Sequence, residues 1–230
     1  MNPTRLVTIA LAAVMFVTPL FAKQEQEKEA VSSRCSLAHY PVAVGDTNEY
    51  RMTSNQFDAE KQILNTTSYT YRDEIMSVED DRFRMKSIGE GNTTESEWAC
   101  SDEGLDLIYD EYPDTTITTT GVTIPAQMEV DGVWNQTFES ESPGSSQKST
   151  TVNRITRREE VVVPAGTFDA YRVDYETETI VSEQAPSYVR GTQWFAPGFG
   201  IVKSTSAIDM EAGEIHSIET TIELMERISK

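Results

Sequence analysis

The chain has 230 residues, and its 38 acidic against 19 basic side chains give it a formal net charge of −19. This excess of carboxylates argues against binding to nucleic acid or to anionic lipid surfaces, because both need Lys and Arg to neutralise their phosphates. The same charge favours a soluble protein, and the length suits one sizeable core.

Residues 1–22 have the layout of a secretory signal peptide. Arg5 precedes the uncharged run 6–22, and Pro19 interrupts that run shortly before the small residue Ala22. A membrane anchor is the alternative, but the run is shorter than the roughly 20 apolar residues that a spanning helix needs. The sequence therefore predicts export to the periplasm or the exterior of a bacterium, with no transmembrane segment after cleavage.

Residues 23–38 form a polar, acidic and non-periodic stretch, which predicts a flexible leader before a single β domain at 39–230. The two cysteines after the predicted signal are Cys35 and Cys100. In an oxidising compartment they favour one disulfide, and two separate buried thiols remain the alternative.

Short segments rich in Thr, Val, Ile and Tyr follow one another from residue 40 onward, separated by turn residues. Period-two alternation predicts these segments to be strands. No segment has an apolar stripe at helical spacing, and 142–149 is interpreted as a surface loop. The predicted strands are 49–53, 63–76, 82–88, 94–100, 105–109, 132–139, 151–163, 168–180, 189–195, 201–206 and 215–228.

These segments predict an all-β fold, mainly antiparallel, because their connections are mostly tight and no βαβ alternation is present. We expect a single, strongly curved sheet of about ten strands that forms a barrel or a half-barrel.

Two motifs stand in the last third of the chain. Residues 160–168 read EVVVPAGTF, and residues 194–203 read WFAPGFGIVK. Pro164 cannot donate to a strand ladder and ends the first strand, and Gly166 permits the turn. With this spacing the chain resembles the TapB-like group of secreted bacterial β-proteins. That resemblance implies a curved antiparallel sheet similar to the half-barrels of lipoprotein carriers such as LolA, and it implies no activity for particular residues.

No catalytic or metal-binding constellation is recognisable. The two histidines, His39 and His216, have no zinc-site spacing, and no G-x-S-x-G or phosphate-binding loop occurs. The acidic runs 79–81, 101–103 and 110–111 do not match a calcium loop and are interpreted as solvated segments. We therefore expect no catalysis, no metal and no cofactor.

Two functions remain open. The first is a non-enzymatic carrier that holds a hydrophobic, lipid-like ligand against a concave sheet. The second is a structural or protein-interaction module of the cell envelope, in which the Thr-rich stretch 115–120 forms an exposed edge that pairs with a partner strand. The aromatic residues predicted to bind a hydrophobic ligand are Tyr69, Tyr71, Trp134, Phe138, Trp194 and Phe195.

Overall fold

The structure is a computed structural model, and it describes residues 34–109, 114–182, 184–210 and 214–228. The predicted signal peptide and most of the predicted leader lie outside the described residues. Within these ranges the chain contains no helix, and so none that could cross a membrane. The strands are β1 (Thr47–Phe57), β2 (Ile63–Val78), β3 (Arg82–Gly89), β4 (Asn92–Cys100), β5 (Gly104–Ile108), β6 (Thr116–Gly121), β7 (Ile124–Pro125), β8 (Val133–Ser142), β9 (Ser145–Val163), β10 (Gly166–Val181), β11 (Ser187–Ala196), β12 (Gly200–Asp209) and β13 (Ser217–Ile228).

All thirteen strands form one antiparallel sheet, in the order β6-β8-β9-β10-β11-β12-β13-β1-β2-β3-β4-β5-β7. The predicted all-β, antiparallel class is therefore confirmed. The predicted barrel or half-barrel of about ten strands is wrong. Strand β7 has two residues and β6 pairs with β8 alone among the described strands, so no ladder closes the sheet.

Two of the thirteen strands were not among the predicted strands, and one predicted loop is mostly strand. Strand β6 comes from the Thr-rich segment. Strand β7 has only two residues, which are too few to show an alternating pattern in the sequence. The stretch 142–149 belongs largely to β9, because Ser142 pairs with Ser145 across a tight Pro143-Gly144 turn. Within the stretch predicted to be a loop, only Pro143 and Gly144 form the turn.

The larger of two hydrophobic cores joins the segment at 35–42 and strands β2–β5 to strands β9–β12. Its most voluminous buried side chain is Trp98, whose ring stacks on Phe83 with centroids 5.7 Å apart. Cys35 and Cys100 are buried in this core and form a disulfide, so the N-terminal segment is tied to β4 as the sequence predicts.

The second core contains both motifs. Val161 and Val163 of the first motif pack with Ala196 and Val202 of the second. The ring of Phe168, which follows the PAGT turn, lies edge-on against Phe199 with centroids 4.7 Å apart. The motifs therefore form two hairpin corners that pack together.

Gly191 of β11 lies where two strands approach closely. A Cβ atom added there would lie 2.2 Å from the carbonyl oxygen of Thr205 and 2.5 Å from the hydroxyl oxygen of Tyr175, its cross-strand partner. Because one of these atoms is backbone, we expect Gly191→Ala to lower the free energy of unfolding by about 1–3 kcal/mol. Urea denaturation measures this change. The matched control is Gly89→Ala, where the nearest atom lies 3.7 Å away, and equal losses in both variants would contradict the expectation.

The disulfide closes a loop between residues 65 positions apart. Chain-entropy arithmetic for this separation gives about 4 kcal/mol of stabilisation as an upper figure. We expect the double variant Cys35→Ala, Cys100→Ala to be less stable by up to this amount in chemical denaturation without reductant. The variant's stability should not change when dithiothreitol is added, whereas that of the native chain should fall; an unaffected native chain would contradict the pairing.

Candidate functional site

The six aromatic residues predicted to bind a ligand do not lie in one place. Tyr69 and Tyr71 lie two residues apart in β2, with ring centroids 6.5 Å apart. Tyr71 stacks on Tyr50 and packs against the second core, whereas Tyr69 remains 41% exposed and donates a hydrogen bond to the sulfur of Met52.

The other four predicted residues lie in β8 and β11. Trp134 packs against the first core, and the ring of Phe138 lies 4.7 Å from that of Tyr109. Phe195 is 1% exposed and belongs to the first core. Trp194 packs against the second core and donates a hydrogen bond to Glu159. Binding of a hydrophobic ligand by this set stays a prediction.

A row of buried and half-buried polar side chains crosses the N-terminal part of the sheet. Ser87, Asp73, Asn48 and Arg227 are successive cross-strand neighbours on β3, β2, β1 and β13. Ser87 donates a 2.5 Å hydrogen bond to Oδ1 of Asp73, and Arg227 forms a buried ion pair with Asp46 at 2.6 Å. Among the described residues, Oδ2 of Asp73 and Oδ1 of Asn48 have no hydrogen-bond partner. Burial raises the pKa of Asp73 to about 7.

The two histidines lie in different settings. His39 is buried with its ring edge-on to Phe195, and burial lowers its pKa to about 4. His216 lies just before β13, where its backbone N–H donates to Phe57. Within the described residues, no three His, Cys, Asp or Glu side chains converge as metal ligands would.

The face of the sheet opposite Val173 and Ile222 carries a row of short hydroxyl side chains. Thr192, Thr205 and Thr221 are direct neighbours on β11, β12 and β13. We call this set the hydroxyl row. Asp174 of β10 continues the row on one side and accepts a 2.7 Å hydrogen bond from Thr192. Thr53 of β1 continues it on the other side.

Two further rows flank the hydroxyl row, and all their side chains except that of Ala207 are longer than threonine. The first flank consists of the five cross-strand neighbours Arg172, Trp194, Lys203, Glu223 and Arg51, and we call it the Trp194 row. The second flank consists of the four cross-strand neighbours Glu176, Arg190, Ala207 and Glu219, and we call it the Arg190 row.

Most charges of the two flanks are paired within the sheet. Glu223 accepts from Arg51 at 2.9 Å and from Lys203 at 3.2 Å, and Arg190 pairs with Glu176. Burial raises the pKa of Glu223, but the hydrogen bonds from Arg51 and Lys203 outweigh burial and hold it below the ordinary value. The Trp194 indole and Arg157 likewise lower the pKa of Glu159. The acidic and basic side chains of the two flanks therefore stay ionised, and their positive and negative charges nearly cancel.

An open groove of about 800 Å³ lies along the hydroxyl row and the Arg190 row. We call it the hydroxyl groove. Its lining includes the hydroxyl row, all four residues of the Arg190 row, Thr156, Arg154 and Asp174. The sequence places these residues on polar faces by alternation, but it does not reveal which strands are neighbours, so the groove was not predicted.

Strand β6 forms one end of the sheet. It pairs with β8 from Thr116↔Glu141 to Gly121↔Gln136, without a bulge. The sequence TITTTG carries no charge and no proline. Among the described strands nothing pairs with its other side, in agreement with the exposed edge proposed for 115–120.

Comparison with known proteins identifies the class to which this antiparallel sheet belongs. A family model described as DUF3108-like matches residues 44–209, so the chain belongs to the DUF3108-like family. The predicted TapB-like and LolA-like relationships are not confirmed. No curated protein matches the sequence.

Two solved structures are similar to the chain. A protein from Parabacteroides distasonis, described as a lipoprotein, is 15% identical over 84% of this chain and 99% of its own, with a TM-score of 0.52. A protein from Bacteroides fragilis, described as exported and as having a YmcC-like fold, is 16% identical over 85% of this chain and 100% of its own, with a TM-score of 0.49. At such identities the first similarity supports the fold alone.

The buried carboxyl of Asp73 predicts a pH-dependent stability. Its pKa is higher in the folded than in the unfolded chain, so its contribution is fully present below about pH 4 and is lost as pH rises through about 7. Asp73→Asn keeps an acceptor for Ser87, adds a donor beside Asn48 and removes the ionisation. We expect the variant to melt at a higher temperature than the native chain at pH 8, with the difference shrinking toward pH 5. The matched control is the exposed Asp209→Asn, and a difference independent of pH would contradict this account.

Proposed function

We propose that this chain is an exported, non-enzymatic protein-interaction module of the bacterial envelope, and that its partner adds a β-strand to the free side of β6. The signal-like residues 1–22 support export, as does the similarity in fold to the protein from Parabacteroides distasonis described as a lipoprotein. The absence of catalysis is supported by the separate, structural settings of His39 and His216.

The observation that carries the proposal is the position of β6 at an end of the sheet, combined with its uncharged sequence. An edge strand presents unpaired N–H and C=O groups, and proteins that must not pair there usually place Lys, Pro or a bulge on it. Strand β6 has none of these three, although a quarter of all residues in the chain are charged. The strand is therefore suited to accept another strand.

The charges beside β6 indicate the kind of partner. Glu139 and Glu141 of β8 stand opposite Thr118 and Thr116, and Lys148 pairs with Glu139. One carboxylate, that of Glu141, makes no ion pair within the described residues, and the whole chain is strongly acidic. A neutral or basic strand fits this edge, whereas a second copy of the chain would add repulsion.

A hydrophobic ligand is the second candidate, and one observation favours it. Tyr69 stays 41% exposed beside Tyr71, and the exposed apolar residues Ile63 and Leu64 lie in the same strand. Against it, most of the buried apolar side chains pack into two cores, and most residues that line the hydroxyl groove carry a hydroxyl or a charged group.

A photo-cross-linking amino acid at Thr118 tests the proposal in the intact envelope. We expect one discrete cross-linked protein, because a strand paired to β6 lies about 5 Å away. Introducing Thr116→Lys and Thr120→Lys into the same chain should abolish the product, since edge lysines oppose a basic or neutral partner strand and prevent close pairing.

The matched control places the cross-linker at Thr150, a half-buried threonine of β9 that is paired with β8 on one side and with β10 on the other. Equal products at both positions, or a product at Thr118 that survives the lysine variant, would refute strand addition at β6. Native mass spectrometry of the chain purified from the envelope distinguishes the second candidate function from strand addition. A reproducible lipid adduct without a cross-linked protein would favour the hydrophobic-ligand function.

A further inference from the structure

We propose that the hydroxyl groove binds one neutral glycan chain that lies across strands β9 to β13. The inference concerns a face of the sheet that excludes β6, so it does not depend on the strand addition proposed above. It rests on the shape of the groove, on the groups that remain free within it, and on the charge balance around it.

The shape suits an extended polymer. Within the groove, the row of cross-strand neighbours runs from Arg154 on β9 through Asp174 on β10 to Thr221 on β13, with one residue from each strand. At about 4.8 Å between neighbouring strands this row is roughly 19 Å long. A sugar ring has a length comparable to the strand spacing, so successive rings of a linear glycan would meet successive side chains of the row.

The groove contains both donors and acceptors that the protein does not use. The hydroxyl groups of Thr205 and Thr221 make no hydrogen bond within the described part of the chain, and neither does the guanidinium of Arg154. A hydroxyl both donates and accepts, and a guanidinium presents five donors in a planar fork. Sugar hydroxyls also donate and accept, so they can satisfy all three side chains.

The charge balance excludes the main competing polymers. The Trp194 and Arg190 rows are largely neutralised by their own ion pairs, and Arg172 donates to Asp174 at 2.8 Å. A polyanion needs several uncompensated Lys and Arg side chains, whereas among the described residues that line the groove only the cation Arg154 lacks an ion pair, and the net charge of −19 repels a polyanion. A neutral polymer faces neither obstacle.

The Trp194 row, which lies beside the groove and not in its lining, is also rigid. The indole N–H of Trp194 donates to Glu159 at 2.8 Å, and the guanidinium of Arg172 lies 5.8 Å from the centre of the indole ring. Thr192 is only 8% exposed and is held by Asp174. Side chains that are already fixed lose little conformational entropy on binding, which helps a ligand that offers only hydrogen bonds.

The test is isothermal titration calorimetry, which measures the affinity of the purified chain for maltohexaose, cellohexaose and chitohexaose. Polygalacturonate serves as the polyanion in the same measurement. We expect at least one neutral hexasaccharide to bind and polygalacturonate not to bind. The double variant Thr205→Val, Thr221→Val keeps the side-chain shapes but removes two hydroxyls, and we expect it to weaken binding at least tenfold. Arg154→Ala should weaken binding several-fold.

Two further variants make the result decisive. Thr93→Val with Thr94→Val removes two exposed hydroxyls from β4 and should leave the affinity unchanged. Thr205→Tyr fills the floor of the groove and should abolish binding, with circular dichroism and melting temperature checking that it folds. No binding of any neutral hexasaccharide at millimolar concentration would overturn the proposal. So would binding only of polygalacturonate, or an affinity insensitive to both Thr205 variants.

Discussion

The constraint on which the structure depends is the fixed register of one long antiparallel sheet. Side chains alternate between the two faces of a strand, so a slip of one residue would exchange the faces. The register of β11, β12 and β13 places Thr192, Thr205 and Thr221 side by side, and by the same alternation Ile222 enters the second core. The core therefore fixes the groove, because apolar burial on one face holds the polar residues in place on the other.

The two motifs pack against each other, and the first motif also contacts β13. The PAGT turn between β9 and β10 reaches β13, where the N–H of Ala165 donates to the carbonyl of Leu224 at 3.1 Å. Phe168 and Phe199 fill the space between the corners. Most of the buried apolar residues that a concave sheet could have offered to a ligand are used instead to pack the sheet against itself, whereas the hydroxyl groove and the β6 edge consist mainly of polar residues.

Buried polar groups distinguish the N-terminal part of the sheet from the rest. The ion pair between Asp46 and Arg227 links the start of β1 to the end of β13, and the loss of one partner would leave a buried charge unpaired. Asp73 lies in the same row, and its ionisation is opposed by burial. This region ties the first and last strands together, whereas other residues form the groove and the β6 edge, so the surfaces that we propose for recognition do not share residues with these buried polar groups.

Composition and alternation determined the all-β class, the antiparallel pairing and most strands, because period-two patterns report directly which residues are half-buried. They also indicated the disulfide between Cys35 and Cys100 and the edge at 115–120. Only the tertiary structure decided how the strands are ordered, that the sheet does not close, that Pro143-Gly144 forms a tight turn, and that Phe195 lies in a core while Tyr69 is exposed. The hydroxyl groove belongs to this second group. Thr192, Thr205 and Thr221 are distant in sequence and become neighbours through strand pairing, which a local pattern cannot encode.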